Sequence, residues 1–424
     1  MNYTKIKALL FAIFAAALLF FGNDFAFIDI EKTAIITALG VDIDESGEYL
    51  VTAQIAVPED AGAGTGNRHV EIEGKGVTVG AAIKKIGDST GWYPHLSFCN
   101  MVILGKKVAE ENAIKVLDYF AQTLRIQGSA MAVLAEDKAK DILTAATPLD
   151  KTPAFALQKV LFKNPGFDSD IASIAIKTFC MKYYDLTASG YMPLITMKKT
   201  AEGGGSSGGG SSGGESQSGS AGGSESGAGG SGGGSSGGAE GGDSSGESAQ
   251  KEAVFTANNT VLFKNGLPVG MLSPFETLVF NALKDNITGT TIELENVSFE
   301  GEDCNVLVTV IKNKPKIKVT AGDDGLHAYI DLKLYCKISD KNAETSSTSY
   351  SSLSPLPKEV AEAAEKKISE GITSLIQQEK LTDCDFLDIL RQVYRHNHRE
   401  FEKYKENFAA FLTEHVSVTV SGKK

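Results

Sequence analysis

Between residues 202 and 250 the chain carries almost nothing but Gly, Ser, Ala, Glu and Gln, with no side chain of an aromatic or of an aliphatic larger than alanine. Such a segment cannot bury enough apolar surface to offset the entropy of ordering it, so it is expected to be disordered. About fifty residues of Gly/Ser-rich coil have an r.m.s. span of ~40 Å. Folding is therefore confined to either side of this tract. It separates a region at 31–200 from one at 251–424, the latter divisible near residue 290 into 251–290 and 291–424. The tract, counted as residues 201–250, also holds 22 of the 45 glycines among 424 residues. What remains is globular in composition and long enough for two or three domains.

The formal net charge is −12 and the isoelectric point about 5.1. Duplex binding needs clustered Lys and Arg to neutralise phosphates, so nucleic acid is excluded as a partner class. Five cysteines, Cys99, Cys180, Cys304, Cys336 and Cys384, are widely spaced, odd in number and without a CxxC pair. They read as buried free thiols, with a single bridge as the alternative.

Near the N-terminus, Lys5 and Lys7 precede the apolar run ALLFAIFAAALLFF at residues 8–21. A basic flank before ~7–15 apolar residues is the build of an export signal. Phe20 and Phe21 occupy the place where a cleavage site needs small residues, and residues 22–30 remain largely apolar. The expectation is an uncleaved signal-anchor at 1–30, with the bulk of the chain on the outer face of a bacterial membrane.

Periodicity outlines the rest. Residues 33–42 are apolar on both faces, as in a central strand. At 49–57, Tyr49, Val51, Ala53, Ile55 and Val57 alternate with Thr52, Gln54 and Ala56, the period-2 pattern of a strand. Val79, Ala82, Ile83 and Ile86 have helical spacing, as do Ala113, Val116, Leu117 and Phe120. Residues 98–104 and 130–134 read as buried strands between and after these helices. Beyond the tract, Ser273 and Pro274 predict a capped helix start. Ile330, Leu332, Leu334 and Cys336 face inward on a strand whose other face is wet. A long helix follows Pro355 and Pro357, with a stripe of Val360, Ala364, Ile368, Ile372, Leu375 and Ile376. A second helix is expected from about 382 to 411, carrying Phe386, Leu390, Val393, Tyr394, Phe401, Tyr404, Phe408 and Phe411. Val416, Val418 and Val420 mark a last strand. The fold class is α+β: a multi-domain, mixed α/β ectodomain with antiparallel sheets and packed helices.

No catalytic constellation appears: no GxSxG, no HExxH, no phosphate-binding loop. His396 and His398, two apart on a helix, point to different faces and cannot chelate one ion. Asp42 and Asp44 follow the first strand, Asp323 and Asp324 sit in a turn before another, and all four read as turn aspartates. Cofactors, metals and catalytic residues are expected to be absent. One feature stands out. Lys312, Lys314, Lys316 and Lys318 recur at every second residue and would line one face of a strand. They are a candidate contact for an acidic partner or anionic lipid; lysines protecting an edge strand are the plainer reading.

Four stretches together resemble the Ger(x)C family, the C subunits of bacterial spore germinant receptors. They are residues 31–42 (EKTAIITALGVD), 95–105 (HLSFCNMVILG), 253–277 (AVF through KNGLPVGMLSPFET) and the helix and strand of 386–422. The resemblance implies a three-domain mixed α/β ectodomain without chemistry, assembled with two integral membrane subunits in the spore's inner membrane. It also implies a lipid-modified cysteine, and here the sequence departs from it: Asn23 stands at that position within LFFGN. Asparagine has no thiol to acylate, so the tether expected here is the apolar segment itself. The expected function is that of a non-catalytic, membrane-tethered extracytoplasmic subunit of a germinant-receptor-like complex, acting by protein contact in germination. The alternative is an extracytoplasmic solute-binding or cell-envelope adhesion protein, with an enzyme third.

Overall fold

The structure, a computed structural model, describes residues 6–7, 11–15, 32–57, 69–122, 126–148, 150, 152–162, 170–199, 253–284, 287–299, 301–342 and 355–422. The expected signal-anchor, apart from residues 6–7 and 11–15, lies outside the described residues, as do Asn23 and the tract at 201–250. Among the described residues no helix is long and apolar enough to cross a membrane.

One sheet collects ten strands: β1 (Thr33–Ile43), β2 (Tyr49–Ala56), β3 (His69–Gly76), β4 (Tyr93–His95), β5 (Met101–Leu104), β6 (Met131–Ala135), β7 (Ile174–Ala175), β8 (Ser189–Lys199), β9 (Ala253–Lys264) and β10 (Leu267–Leu272). Its order is β10-β9-β8-β6-β5-β1-β2-β3, with β4 beside β1 and β7 beside β6. The centre, β1-β5-β6-β8, is parallel and the flanks are antiparallel. Parallel neighbours need crossovers, and helices supply them on both faces. On one face lie α1 (Val79–Thr90), α2 (Lys106–Asn112), α3 (Ile114–Gln122) and, later in the chain, α6 (Ile176–Tyr183). On the other lie α4 (Ala139–Leu143) and α5 (Pro153–Leu161).

Burial on both faces accounts for the apolar residues on both faces of β1. In β2, too, the polar Thr52 and Gln54 are buried. Gln54 is fully satisfied there: its amide NH2 donates to Glu71 Oε1 and Leu143 O, and its Oε1 accepts from Ala154 N–H. The strand expected at 98–104 begins only at Met101, and Phe98 is 54 % exposed in the preceding turn. Close packing of α1 on β3 depends on Gly74, where an added Cβ would lie 2.1 Å from Ala82 O.

The second sheet holds β11 (Thr291–Phe299), β12 (Glu302–Gly322), β13 (Gly325–Asn342) and β14 (Leu412–Gly422), in that order. Four helices pack on it: α7 (Pro274–Leu283), α8 (Lys358–Thr382), α9 (Ile389–His396) and α10 (His398–Tyr404), followed by a 3-10 turn at Phe408–Phe411. Val306, Val308, Val310, Ile330, Leu332, Leu334 and Cys336 meet the expected α8 stripe in one core. The cap of α7 is a full capping box: Glu276 N–H donates to Ser273 Oγ, and Ser273 N–H donates to Glu276 Oε2.

Two expectations are revised. The sheet is not wholly antiparallel, because the helices return the chain to the same end of the sheet and β14 runs parallel to β13. The single second helix is three pieces. Asp388 sits at φ 61, Asn397 has φ −153, and the chain turns again at Lys405. The strands on either side of the tract are sheet neighbours: β8 and β9 are antiparallel, with Lys199 opposite Ala253. All five cysteines are buried and free, as read from the sequence.

Candidate interaction face and the acidic joint

Along β12 the inward residues are first Val306, Val308 and Val310. A bulge between Val310 and Lys312 shifts the alternation by one, so Asn313 is buried and Lys312, Lys314, Lys316 and Lys318 all face solvent. Without that extra residue the lysines would point into the core. Pairing of β12 with β11 ends at Thr309 opposite Thr291. The lysine segment therefore lies on the sheet's exposed edge as well as on its wet face, and both readings of the stripe have a structural basis.

The stripe continues across the sheet. Lys312 pairs with Tyr335, Lys314 with Lys333, Lys316 with Asp331 and Lys318 with Tyr329. Tyr329 in turn pairs with His415, and their rings stack at 4.6 Å. Lys314 Nζ sits 5.6 Å from the centre of the Tyr335 ring, a cation–π contact. His327 Nδ1 is 3.3 Å from His415 Nε2, and His327 Nε2 is 2.9 Å from Asp324 Oδ2. On these paired rows Asp331 is the one acid against five lysines. The helices cover the opposite face. A cationic, aromatic sheet face is thus open to solvent on a chain of net charge −12.

A second constellation, without a signal in the sequence reading, joins the two sheets. Asp388 precedes α9 in the left-handed region. Its Oδ1 is 2.9 Å from Lys182 Nζ on α6, and its Oδ2 is 2.6 Å from Lys284 Nζ beside α7. Burial alone would raise its pKa, but the two lysines outweigh burial and hold the carboxyl below its usual range. Arg391 Nε adds a 2.8 Å bridge to Asp185 Oδ2.

Behind this lie Asp385 and Glu379, both fully buried. Asp385 Oδ1 and Oδ2 accept from Leu390 and Arg391 N–H, capping α9, and burial pushes its carboxyl up to about 6. Glu379 Oε1 accepts from Leu387 N–H, and Oε2 is buried without a hydrogen-bond partner. Burial, then the neighbouring charge of Asp385, raises Glu379 well above the usual range. Cys384 Sγ donates to Phe263 O at 3.3 Å, and burial raises its thiol to about 12, which leaves it unreactive. The joint is thus saturated by its own structural contacts; apart from Glu379 Oε2 its carboxylates are occupied by lysine, arginine or backbone N–H.

The remaining sequence candidates have structural roles. Asp44 accepts from Ser46 and Glu48 N–H, a turn aspartate as read. Asp42 is buried and caps α4, accepting from Ala139 and Lys140 N–H; burial raises its pKa despite those bonds. His396 and His398 are split by Asn397, and the His398 ring packs edge-on against Tyr394 at 5.1 Å. Among the described residues no group of His, Cys, Asp and Glu could hold a metal ion.

Comparison with known proteins gives the chain its relatives. The family described as "Spore germination protein N-terminal domain" matches residues 27–197, and "Spore germination B3/ GerAC like, C-terminal" matches residues 258–423. Over 144 residues the chain is 28 % identical to "Spore germination protein KC" of Bacillus subtilis (strain 168); the match covers 31 % of this chain and 35 % of that protein. It thus spans about a third of the relative's length. The structure published as "Crystal Structure of the GerBC protein" aligns over 93 % of this chain and 99 % of its own, at 15 % identity and a TM-score of 0.48. With the two family domains in order on either side of the tract, the chain belongs to the Ger(x)C family of spore germination proteins.

Proposed function

We propose that the protein is a non-catalytic, membrane-tethered extracytoplasmic subunit of a spore germinant-receptor-like complex. It stands on the outer face of the bacterial cytoplasmic or spore inner membrane and acts by contact with integral membrane subunits. Family membership supports the germination role, and the apolar run at residues 8–21 supports the tether.

The observation that carries the contact mechanism is the open cationic face of β12, β13 and β14. Its lysines have an excess of charge that only a partner of opposite sign would complement. In this reading Lys312, Lys314, Lys316 and Lys318 meet an acidic surface on a membrane subunit. Reversing all four to Glu in the full chain, co-expressed with the multi-spanning subunits, is expected to abolish co-purification while leaving the melting temperature unchanged. Undiminished co-purification would refute the assignment of this face and leave edge protection as the role of the stripe.

A solute-binding role would draw on the cleft of about 780 Å³ beside α1. That cleft is lined by Gly80, Gly87, Gly91 and aromatic rings, and its charged residues, Lys84 and Asp88, are exposed. A small-molecule site needs buried polar groups that converge on a ligand.

A further inference from the structure

We infer that the end of the first sheet where the chain enters it rests on the lipid bilayer, with Trp92 seated at the headgroup level. This rests on the tethered reading above. The chain enters the fold at Thr33, and Thr33, Ala34 and Ile35 pair in parallel with Tyr93, Pro94 and His95 of β4. The apolar run ends at Phe21, so about a dozen residues connect it to Thr33. Fully extended, they reach at most ~40 Å. A chain anchored by residues 8–21 therefore keeps this end of the sheet within ~40 Å of the membrane.

The surface presented there is aromatic. Trp92 immediately precedes β4 and is 45 % exposed; it is the single tryptophan of the chain. Phe98 follows β4 in a turn, exposed, with its ring centre 6.3 Å from that of His95. Both large exposed rings thus flank the short strand that pairs with the entry segment. Trp92 also stands at the lip of the cleft beside α1, whose other walls include Tyr93, Pro94, Leu96 and Tyr119. Exposed indole beside an apolar cleft is an unfavourable surface in water. At a bilayer interface it is favourable, because the ring lies among acyl and headgroup carbons while its N–H stays wet.

Charge supports a zwitterionic surface rather than an anionic one. Among the described residues the local ions leave an excess of one positive charge: Lys85 pairs with Asp88 at 3.8 Å, and Lys84 is the one further cation lining the cleft. Lipid attraction here needs no basic cluster, whereas the lysines of β12 belong to the other sheet.

The single tryptophan makes the test direct. The full chain is reconstituted in phosphatidylcholine vesicles, recovered by flotation, and its emission compared with and without brominated phosphatidylcholine. A seated Trp92 should be blue-shifted and lose about half its emission to the shallow bromines, as expected of an interfacial indole. The paired variant W92F/F98W, which moves the reporter to the other flank of β4, should be quenched as well. Floating protein with unquenched, acrylamide-accessible Trp92 would overturn the inference and leave the tether intact. Protein that fails to float would refute the tether itself, and this seating with it.

Discussion

Glu379 and Asp385 show how a side chain that reads as surface in sequence becomes part of a joint. Each is an acid held away from water; burial raises the proton affinity of both, and the charge of Asp385 raises that of Glu379 further. The sign for stability follows from that. A carboxyl whose pKa is raised by folding contributes fully below its unfolded value, near 3.8 for Asp385, and loses that contribution as pH rises through about 6. Raising Asp385 from 3.8 to about 6 corresponds to ~3 kcal/mol of cost at neutral pH. Asp388 acts in the opposite direction: its lowered pKa stabilises at higher pH, a contribution lost as pH falls. Gln at position 379 can still accept from Leu387 N–H through its oxygen but cannot titrate. E379Q and the parent should therefore melt alike near about pH 5, with the variant melting higher by about pH 8. Parallel melting curves across that range would show that Glu379 is not held neutral. Nothing in the sequence marked these residues, since burial of an acid is a tertiary fact. The Ser273 and Glu276 cap, by contrast, is local chemistry and was readable.

Among the elements, the strands and the long helix α8 were legible because their periodicity coincides with their burial. The segment from 386 to 411 was legible as apolar but not as broken. Its aromatics recur at three- and four-residue steps, and no Gly or Pro interrupts them. The break is nevertheless written in one place: Asn397 accepts from Glu400 N–H, an N-cap that restarts the helix as α10. The consequence is that the aromatic stripe divides. Phe408 is fully buried, while Phe411, three residues on, is 48 % exposed. Truncation of Phe408 to Ala should destabilise the full chain by ~3–5 kcal/mol. Truncation of Phe411 should cost less than ~1 kcal/mol, as for a side chain that keeps much of its solvent contact. Thermal or denaturant unfolding of the two variants decides this, and equal losses would mean the stripe is one continuous buried face. The β12 bulge is a similar case. Regular alternation predicted a lysine face, but that this face is the solvent-facing one depends on one extra residue at Ile311.

At the scale of the molecule, composition located the Gly/Ser tract but could not say what its ends do. They meet. Lys199 and Ala253 are antiparallel partners, which places their Cα atoms only about 5 Å apart. The tract is thus the connection of a hairpin whose strands β8 and β9 lie side by side in the first sheet, and the two family domains share that sheet. A hairpin connection tolerates length because closure cost grows only as the logarithm of loop size, ~0.6 kcal/mol per doubling. Replacing residues 202–250 by about six Gly and Ser residues removes somewhat more than two doublings, worth ~1.5 kcal/mol in favour of the folded chain. The melting temperature should hold or rise by a few degrees, given that ~1 kcal/mol moves a domain of this size by about 2–4 °C. Such a variant also keeps the cationic face and the Trp92 end untouched, so its membrane flotation and its co-purification with partner subunits should match the parent. A fall in melting temperature of about 10 °C would mean that the tract packs against the fold. A parent-like melting temperature with lost co-purification would instead assign the tract a reach-setting role between the membrane and the partner.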